Sequence, residues 1–164
     1  MEPFNEKLQV ALQLRREEKL QQSNLLLLEL TTQNPNNAYL LYQCAWSFDC
    51  LGEETKAVPY YVKAISAGLA GEDLENAYLG LGSTYRALGE YEKSRAVFVD
   101  ALNLFPHNEA LRVFSAMTLY NVNEHQAAME LLLTCIAETS SDSNVQKYKR
   151  ALQFYANKLD ETWT

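Results

Sequence analysis

Apolar and small residues follow a regular register along the chain, and the register is clearest between residues 75 and 108. The spacing there is that of a helix-turn-helix unit about 34 residues long, in which apolar side chains three and four residues apart share one helix face. The positions of this register are held by Tyr78, Leu81, Gly82, Tyr85, Gly89, Tyr91, Ser94, Phe98, Ala101 and Pro106. A unit of this length predicts further copies elsewhere in the chain.

Three more copies keep the same register, at residues 4–37, 38–74 and 109–142. The copy at 38–74 carries three extra residues, which fall in a predicted turn at 67–73. The first and last copies diverge from the pattern. Glu18 and Asn123 stand where the middle copies have an interhelical glycine, and Ser140 stands where a proline is expected.

Each unit is predicted to be an antiparallel pair of α-helices that must stack on its neighbours, because its apolar face is too wide for one pair to bury. The first helices of the four pairs are predicted at 4–16, 38–51, 72–88 and 108–122, and the second helices at 18–33, 53–67, 90–104 and 124–138. Gly52 and Gly89 should end helices at positive φ. Small residues such as Ala45 and Gly82 should allow close helix packing.

The carboxyl-terminal segment is predicted to form one further amphipathic helix over residues 143–160. Its apolar residues recur at helical spacing: Val145, Tyr148, Leu152, Tyr155 and Leu159. A repeat array needs a helix with a polar outer side to cover its last apolar face, so a solvating cap is one interpretation. In a second interpretation, the helix lies across a binding groove or pairs with a second copy of the chain, and Trp163 is an anchor.

The repeated motifs resemble the tetratricopeptide repeat (TPR) family. The copy at 75–108 holds the family pattern of Tyr, Leu, Gly and Tyr followed by a small residue, Phe, Ala and Pro, and departs from it only in having Ser94 in place of alanine. The resemblance is to small stand-alone bacterial members of the family. It implies an all-α fold: a right-handed α-solenoid of about four helix pairs and a capping helix, forming a single domain over residues 1–164.

The resemblance also implies a peptide-binding groove lined by the first helix of each unit. Its principal candidate residues are Tyr39, Tyr42, Trp46, Asn76, Leu79, Ser83, Arg86, Val113, Met117, Tyr120 and Arg15. The same helix positions also hold Asn5, Leu8, Leu12, Asp49 and Ala110. Exposed Tyr and Trp offer large, rigid contact area. Alternatively, Tyr39, Tyr42 and Trp46 pack between successive units as core. The lysine-asparagine carboxylate clamp of one TPR subtype is absent from the corresponding positions.

Composition and charge narrow the class of partner. The formal net charge of −7 disfavours DNA or RNA as the main partner. No run of apolar residues is long enough to span a membrane, and the amino terminus lacks a signal-peptide pattern, so we expect a soluble, cytoplasmic protein. The three cysteines have no CxxC spacing, which indicates neither a disulfide framework nor a zinc site.

No constellation of residues indicates catalysis. His107 and His125 have no second ligand at metal-binding spacing, and the glycines at 80 and 82 lie inside a predicted helix, where they favour helix packing over phosphate binding. Paired glutamates fall at helix starts, where they complement the helix dipole. The sequence therefore predicts no enzyme, no cofactor and no metal.

Three functions remain open. The first is an adaptor that binds a partner peptide or helix in the groove, where Arg15, Arg16 or Arg86 could pair with an acidic residue or a terminal carboxylate. The second is a self-assembly module that forms, for example, a homodimer through the first repeat or the terminal helix. The third is a domain that senses a small ligand at a cleft widened by the insertion at 68–73.

Overall fold

The computed structural model describes residues 2–163 of the chain, with side chains described for residues 4–163. Within that range every regular element is an α-helix, and no strand is present. The helices are α1 (Glu2–Arg16), α2 (Leu20–Gln33), α3 (Ala38–Cys50), α4 (Glu54–Ser66), α5 (Gly71–Ala87), α6 (Tyr91–Leu104), α7 (Glu109–Asn121), α8 (His125–Thr139), α9 (Ser143–Lys147) and α10 (Lys149–Tyr155). The predicted all-α fold is confirmed, and the ends of α1 to α8 lie within two residues of those predicted.

The helices group into two compact units, residues 1–90 and residues 91–164. In the first unit, each of the helices α1 to α4 packs on the helix that follows it, and α3 also contacts α5. In the second unit, α6 packs on α7, α7 on α8, and α8 on both α9 and α10. Within both units, antiparallel neighbours bury their apolar faces against one another, as helix pairs of this width require.

Ala45 and Gly82, which are predicted to allow close helix packing, are buried, whereas Leu132, predicted to fill the space beside such a contact, is half-buried. Ala11, Leu27, Ala45 and Tyr61 are buried in the first unit, and Phe98, Ala101, Leu111 and Ala116 are buried in the second. Close helix approach is clearest at Gly80 in α5. A Cβ atom at that position would overlap the ring of Tyr61 in α4, so only glycine fits there without displacing the tyrosine.

The turns within helix pairs share one backbone feature. Gly52 and Gly89 have φ of 69° and 75°, as predicted, and this left-handed conformation ends α3 and α5. Glu18 and Asn123 occupy the equivalent turns of the divergent copies and adopt nearly the same φ, 60° and 64°. The turn geometry is therefore kept even where the glycine is lost.

The terminal segment is helical but is divided. A backbone conformation of φ −104° and ψ 12° at Tyr148 ends α9, and α10 starts at the next residue and ends at Tyr155 rather than near residue 160. The side chain of Asp142 caps α9 by accepting hydrogen bonds from the backbone N–H groups of Asn144 and Val145. The break has no signature in the spacing of apolar residues, which stays helical across it.

Candidate protein-interaction surface

An aromatic stack runs along α3 in the first unit. Tyr39, Tyr42 and Trp46 are three and four residues apart, so they project from the same side of the helix. The rings of Tyr42 and Trp46 are stacked at 6.1 Å with an interplanar angle of 24°, and Tyr39 meets Tyr42 edge-on at 6.4 Å. The ring centre of Tyr61 in α4 also lies 6.4 Å from the ring centre of Tyr42. The structure thus brings the predicted aromatic residues of α3 together.

Burial divides this stack into two kinds of residue. Tyr42 is only 5% exposed, whereas Trp46 is 42% exposed and Tyr39 is half-buried. Burial raises the pKa of Tyr42 to about 12, because the phenolate would lose its hydration. Tyr42 is therefore a packing residue that supports its neighbours, and Trp46 is the member of the stack most exposed to solvent.

Arg15 of α1 completes the stack. Its guanidinium carbon lies 3.8 Å from the centre of the Trp46 ring, and its Nη2 donates a 2.6 Å hydrogen bond to Oε1 of Gln43. Nη1 of Arg15 is buried without a hydrogen-bond acceptor, and Arg15 forms no ion pair with any described residue. Burial lowers the pKa of Arg15. A cation–π contact of this kind fixes the orientation of the indole ring.

Asp49, near the end of α3, joins three helices of the first unit. Its Oδ2 accepts a 2.7 Å hydrogen bond from the hydroxyl of Tyr61, and its Oδ1 lies 3.0 Å from Oγ1 of Thr84 in α5. Burial raises the pKa of Asp49, and the two hydrogen bonds oppose this effect only in part. Asp49 is thus a structural connector as well as a groove position of the repeat pattern.

The remaining predicted residues of the first unit lie outside the stack. On α5, Asn76 is exposed, while Leu79, Ser83 and Arg86 are half-buried. The hydroxyl of Ser83 donates to the carbonyl of Leu79 within the helix. On α1, Asn5 is exposed, whereas Leu8 and Leu12 are buried and belong to the core.

In the second unit, the predicted residues of α7 differ in exposure. Met117 and Tyr120 are exposed, Val113 is half-buried and Ala110 is exposed. The ring of Tyr120 lies 4.8 Å from the imidazole of His125 at the start of α8. His125 therefore takes part in a ring contact at a helix turn.

Two residues that the sequence did not point to shape the site in the first unit. Gln43 is buried beside Tyr42 and orients Arg15, and Thr84 reaches Asp49 from α5. Gln43 lies on α3 beside the aromatic positions, but only tertiary packing turns its amide towards Arg15. A buried polar residue in a helix signals a hydrogen-bonding partner, but the spacing of residues does not identify that partner.

The described residues include no group of three or more His, Cys, Asp or Glu side chains that could hold a metal ion. Cys44 and Cys135 are buried and Cys50 is exposed, and all three are free thiols. No helix in the described part of the chain combines the length and apolar character needed to cross a bilayer.

Comparison with known proteins identifies the class. Residues 38–159 match the family model described as Tetratrico peptide repeat, which is more than half of the 164 residues. The chain belongs to the tetratricopeptide repeat family, as its motifs indicate. Repeats of this family generally mediate protein–protein interaction, and proteins built from them are typically non-enzymatic scaffolds.

Two particular proteins resemble the chain. Superkiller protein 3 of Saccharomyces cerevisiae is 27% identical over 108 residues, a match that covers 62% of this chain and 7% of the yeast protein. A crystal structure of the APC/C hetero-tetramer Cut9-Hcn1 aligns with a TM-score of 0.69 at 19% identity, covering 94% of this chain and 30% of the matched chain. The structural match supports the TPR α-solenoid fold. This chain spans only a small part of the length of either protein.

Proposed function

We propose that the surface centred on Trp46 binds a short segment of a partner protein, either extended or helical, that inserts an apolar side chain against the indole ring. The observation that carries this proposal is the exposure of Trp46, at 42%, while contacts with Arg15 and Tyr42 fix the orientation of its ring. A large aromatic ring that is already immobilised loses little entropy on binding, and tryptophan is enriched among residues that dominate binding energy.

The other residues of the proposed contact in the first unit are Tyr39, Asn76, Leu79, Ser83 and Arg86. In the second unit, taken by itself, we propose Val113, Met117 and Tyr120 as binding positions. Tyr42 and Arg15 act in the proposal mainly by orienting Trp46. The mixture of aromatic, apolar and cationic side chains favours a segment with apolar anchors.

The test separates binding from folding by means of two neighbouring rings. Peptides that bind the intact chain are first selected from a random library displayed on phage. Their affinity is then measured for the intact chain and for the Trp46→Ala and Tyr42→Ala variants. Trp46→Ala should weaken binding by about tenfold or more, while lowering the free energy of unfolding by about 1–2 kcal/mol, because the indole also loses its contacts with Arg15 and Tyr42. Tyr42→Ala should instead destabilise the fold by about 3 kcal/mol, because it removes a buried ring.

A loss of stability in Trp46→Ala as large as that in Tyr42→Ala would show that the indole is core and would refute the proposal. A selection in which no peptide binds the Trp46→Ala variant more weakly than the intact chain would also refute it.

We further propose that the chain acts in the cytoplasm without enzymatic activity of its own, as is typical of the family. The net charge of −7 supports a protein partner over a nucleic acid or an anionic membrane surface. Self-assembly through the first repeat or the terminal helices is the second candidate, because rings on α10 are exposed. No residue of the 68–73 insertion favours small-ligand sensing over these two.

A further inference from the structure

A second group of exposed aromatic residues lies at the carboxyl-terminal end of the second unit. Phe154, Tyr155 and Trp163 contact one another, with ring centres 5.1 to 6.1 Å apart. Their exposed fractions are 50%, 46% and 57%. We call these three residues the terminal aromatic cluster. Aromatic rings that pack together and still face solvent are a common feature of protein-binding surfaces.

Other residues of the carboxyl-terminal segment pack against α8 and hold the cluster in place. Ala156 is buried, Leu152 is half-buried, and α10 packs on α8. The side-chain amide of Gln126 in α8 donates a 3.0 Å hydrogen bond to the carbonyl of Asn157. The segment therefore covers the apolar side of α8, as a cap would, and also presents the rings outwards on a supported backbone.

Four cations lie in the segment that carries the cluster, and none of them has an acidic partner among the described residues. Residues 143–158 contain Lys147, Lys149, Arg150 and Lys158 and no Asp or Glu. None of these four forms an ion pair with a described residue, whereas Arg95 and Arg112 of the same unit pair with glutamates. Nζ of Lys158 lies 4.5 Å from the centre of the Phe154 ring. The segment that leads to the cluster is thus basic in an acidic chain, with Lys158 against a ring, although two exposed carboxylates, Asp160 and Glu161, lie between Lys158 and Trp163.

We propose that the terminal aromatic cluster and its four cations bind an acidic segment of another protein that carries an apolar or aromatic anchor. The charge argues for the acidic character, because carboxylates of the partner would pair with cations that have no acidic partner among the described residues. The rings argue for the anchor, with Trp163 as its main contact. This surface is separate from the one around Trp46, and the proposal does not depend on it.

Two other occupants fit the observations less well. Single-stranded nucleic acid needs open ring faces for stacking, but Tyr155 meets both Phe154 and Trp163 edge-on, and Lys158 lies over the ring of Phe154. The net charge of the chain also opposes a polyanion at long range. A symmetric dimer through this surface would bring together two chains that each carry a net charge of −7.

The experiment uses the intact chain and a random peptide library displayed on phage. Peptides are selected on the Trp46→Ala variant, so that the surface around Trp46 does not dominate the selection, and one enriched peptide is then synthesised with a fluorescent label. Its affinity is measured by fluorescence anisotropy at low and high salt for the chain carrying Trp163→Ala, Lys158→Gln or Lys63→Gln. Lys63 is an exposed lysine of α4 without an ion pair, so Lys63→Gln is the control for the loss of one charge.

We expect the enriched peptides to combine acidic with apolar or aromatic residues. Trp163→Ala should weaken binding by about tenfold, and Lys158→Gln should weaken it by several-fold and reduce its dependence on salt. Lys63→Gln should leave the affinity nearly unchanged. Circular dichroism of each variant should show unchanged helix content, because the replaced side chains are exposed or half-buried.

Other results would overturn the proposal. These are enrichment of neutral or basic peptides, an affinity unaffected by Trp163→Ala, or an equal effect of Lys158→Gln and Lys63→Gln. Tighter binding of a labelled oligouridine than of any peptide would assign the surface to nucleic acid. Self-association of the chain that Trp163→Ala abolishes would assign it to a second copy.

Discussion

At the scale of single residues, the turns within helix pairs keep a left-handed backbone conformation even where glycine, the residue best suited to it, is absent. Glu18 keeps a φ of 60° in a turn where two other copies have glycine. For a residue with a Cβ, this left-handed conformation costs about 1–2 kcal/mol. The side chain of Glu18 is exposed and makes no hydrogen bond or ion pair with any described residue that would offset this cost. The turn is therefore a local site of strain in the first unit.

We predict that Glu18→Gly stabilises the protein. Relief of the left-handed strain outweighs the greater flexibility of glycine in the unfolded chain, so the expected gain is about 0.5–1 kcal/mol. Urea denaturation monitored by circular dichroism measures it. Asn123→Gly is the matched variant in the second unit and should gain less, since asparagine tolerates positive φ better than glutamate does. A lower stability of Glu18→Gly would show that the turn is not strained.

At the scale of elements, one carboxylate connects three helices. Asp49 of α3 accepts a hydrogen bond from Tyr61 of α4 and lies within hydrogen-bond distance of Thr84 of α5. No cation pairs with Asp49 among the described residues, and burial raises its pKa above the ordinary value. An acid whose pKa is raised on folding binds more protons when folded. Its ionisation therefore opposes folding as the pH rises.

We predict a pH-dependent effect of Asp49→Asn. Asparagine keeps an oxygen that can accept the hydrogen bond of Tyr61 but cannot ionise, so the variant avoids the cost of a buried charge. Its stability relative to the intact protein should rise from acidic pH, just below the ordinary pKa of aspartate, to neutral pH. Denaturation in urea at both pH values measures the difference. Asp100→Asn, at an exposed site of α6, gives the background. If the stability of Asp49→Asn relative to the intact protein fell towards neutral pH, the result would contradict the raised pKa of Asp49.

At the scale of the whole molecule, the open question is whether the chain acts alone. The two compact units each bury their own core, and the proposed interaction surfaces use exposed residues of each unit separately. The assignment of residues 1–164 to one domain remains a prediction. Self-assembly would need one of the exposed faces to meet a second copy, and the net charge of −7 opposes that encounter at low salt.

We predict a monomer whose mass does not change with dilution. Light scattering across a wide range of protein concentration measures the absolute mass of the intact chain and of the double variant Phe154→Ala with Trp163→Ala. Both should give the mass of one chain at every concentration. A dimer of the intact chain that the double variant abolishes would instead favour the assembly function. A dimer that persists in both would move the interface to another surface, such as the first repeat.

The sequence by itself determined the fold class, the family and the ends of the first eight helices, because small and apolar residues must recur wherever helix pairs stack. It also marked the turns, including those where Glu18 and Asn123 replace glycine. Only the tertiary structure distinguished Tyr42 from Trp46, since both hold groove positions on α3. Tyr61 of α4 covers the first, and Arg15 of α1 stacks on the second, which stays exposed. The division at Tyr148 likewise left no trace in the spacing. Burial and hydrogen-bond partners depend on residues distant in the chain, and a local pattern does not encode them.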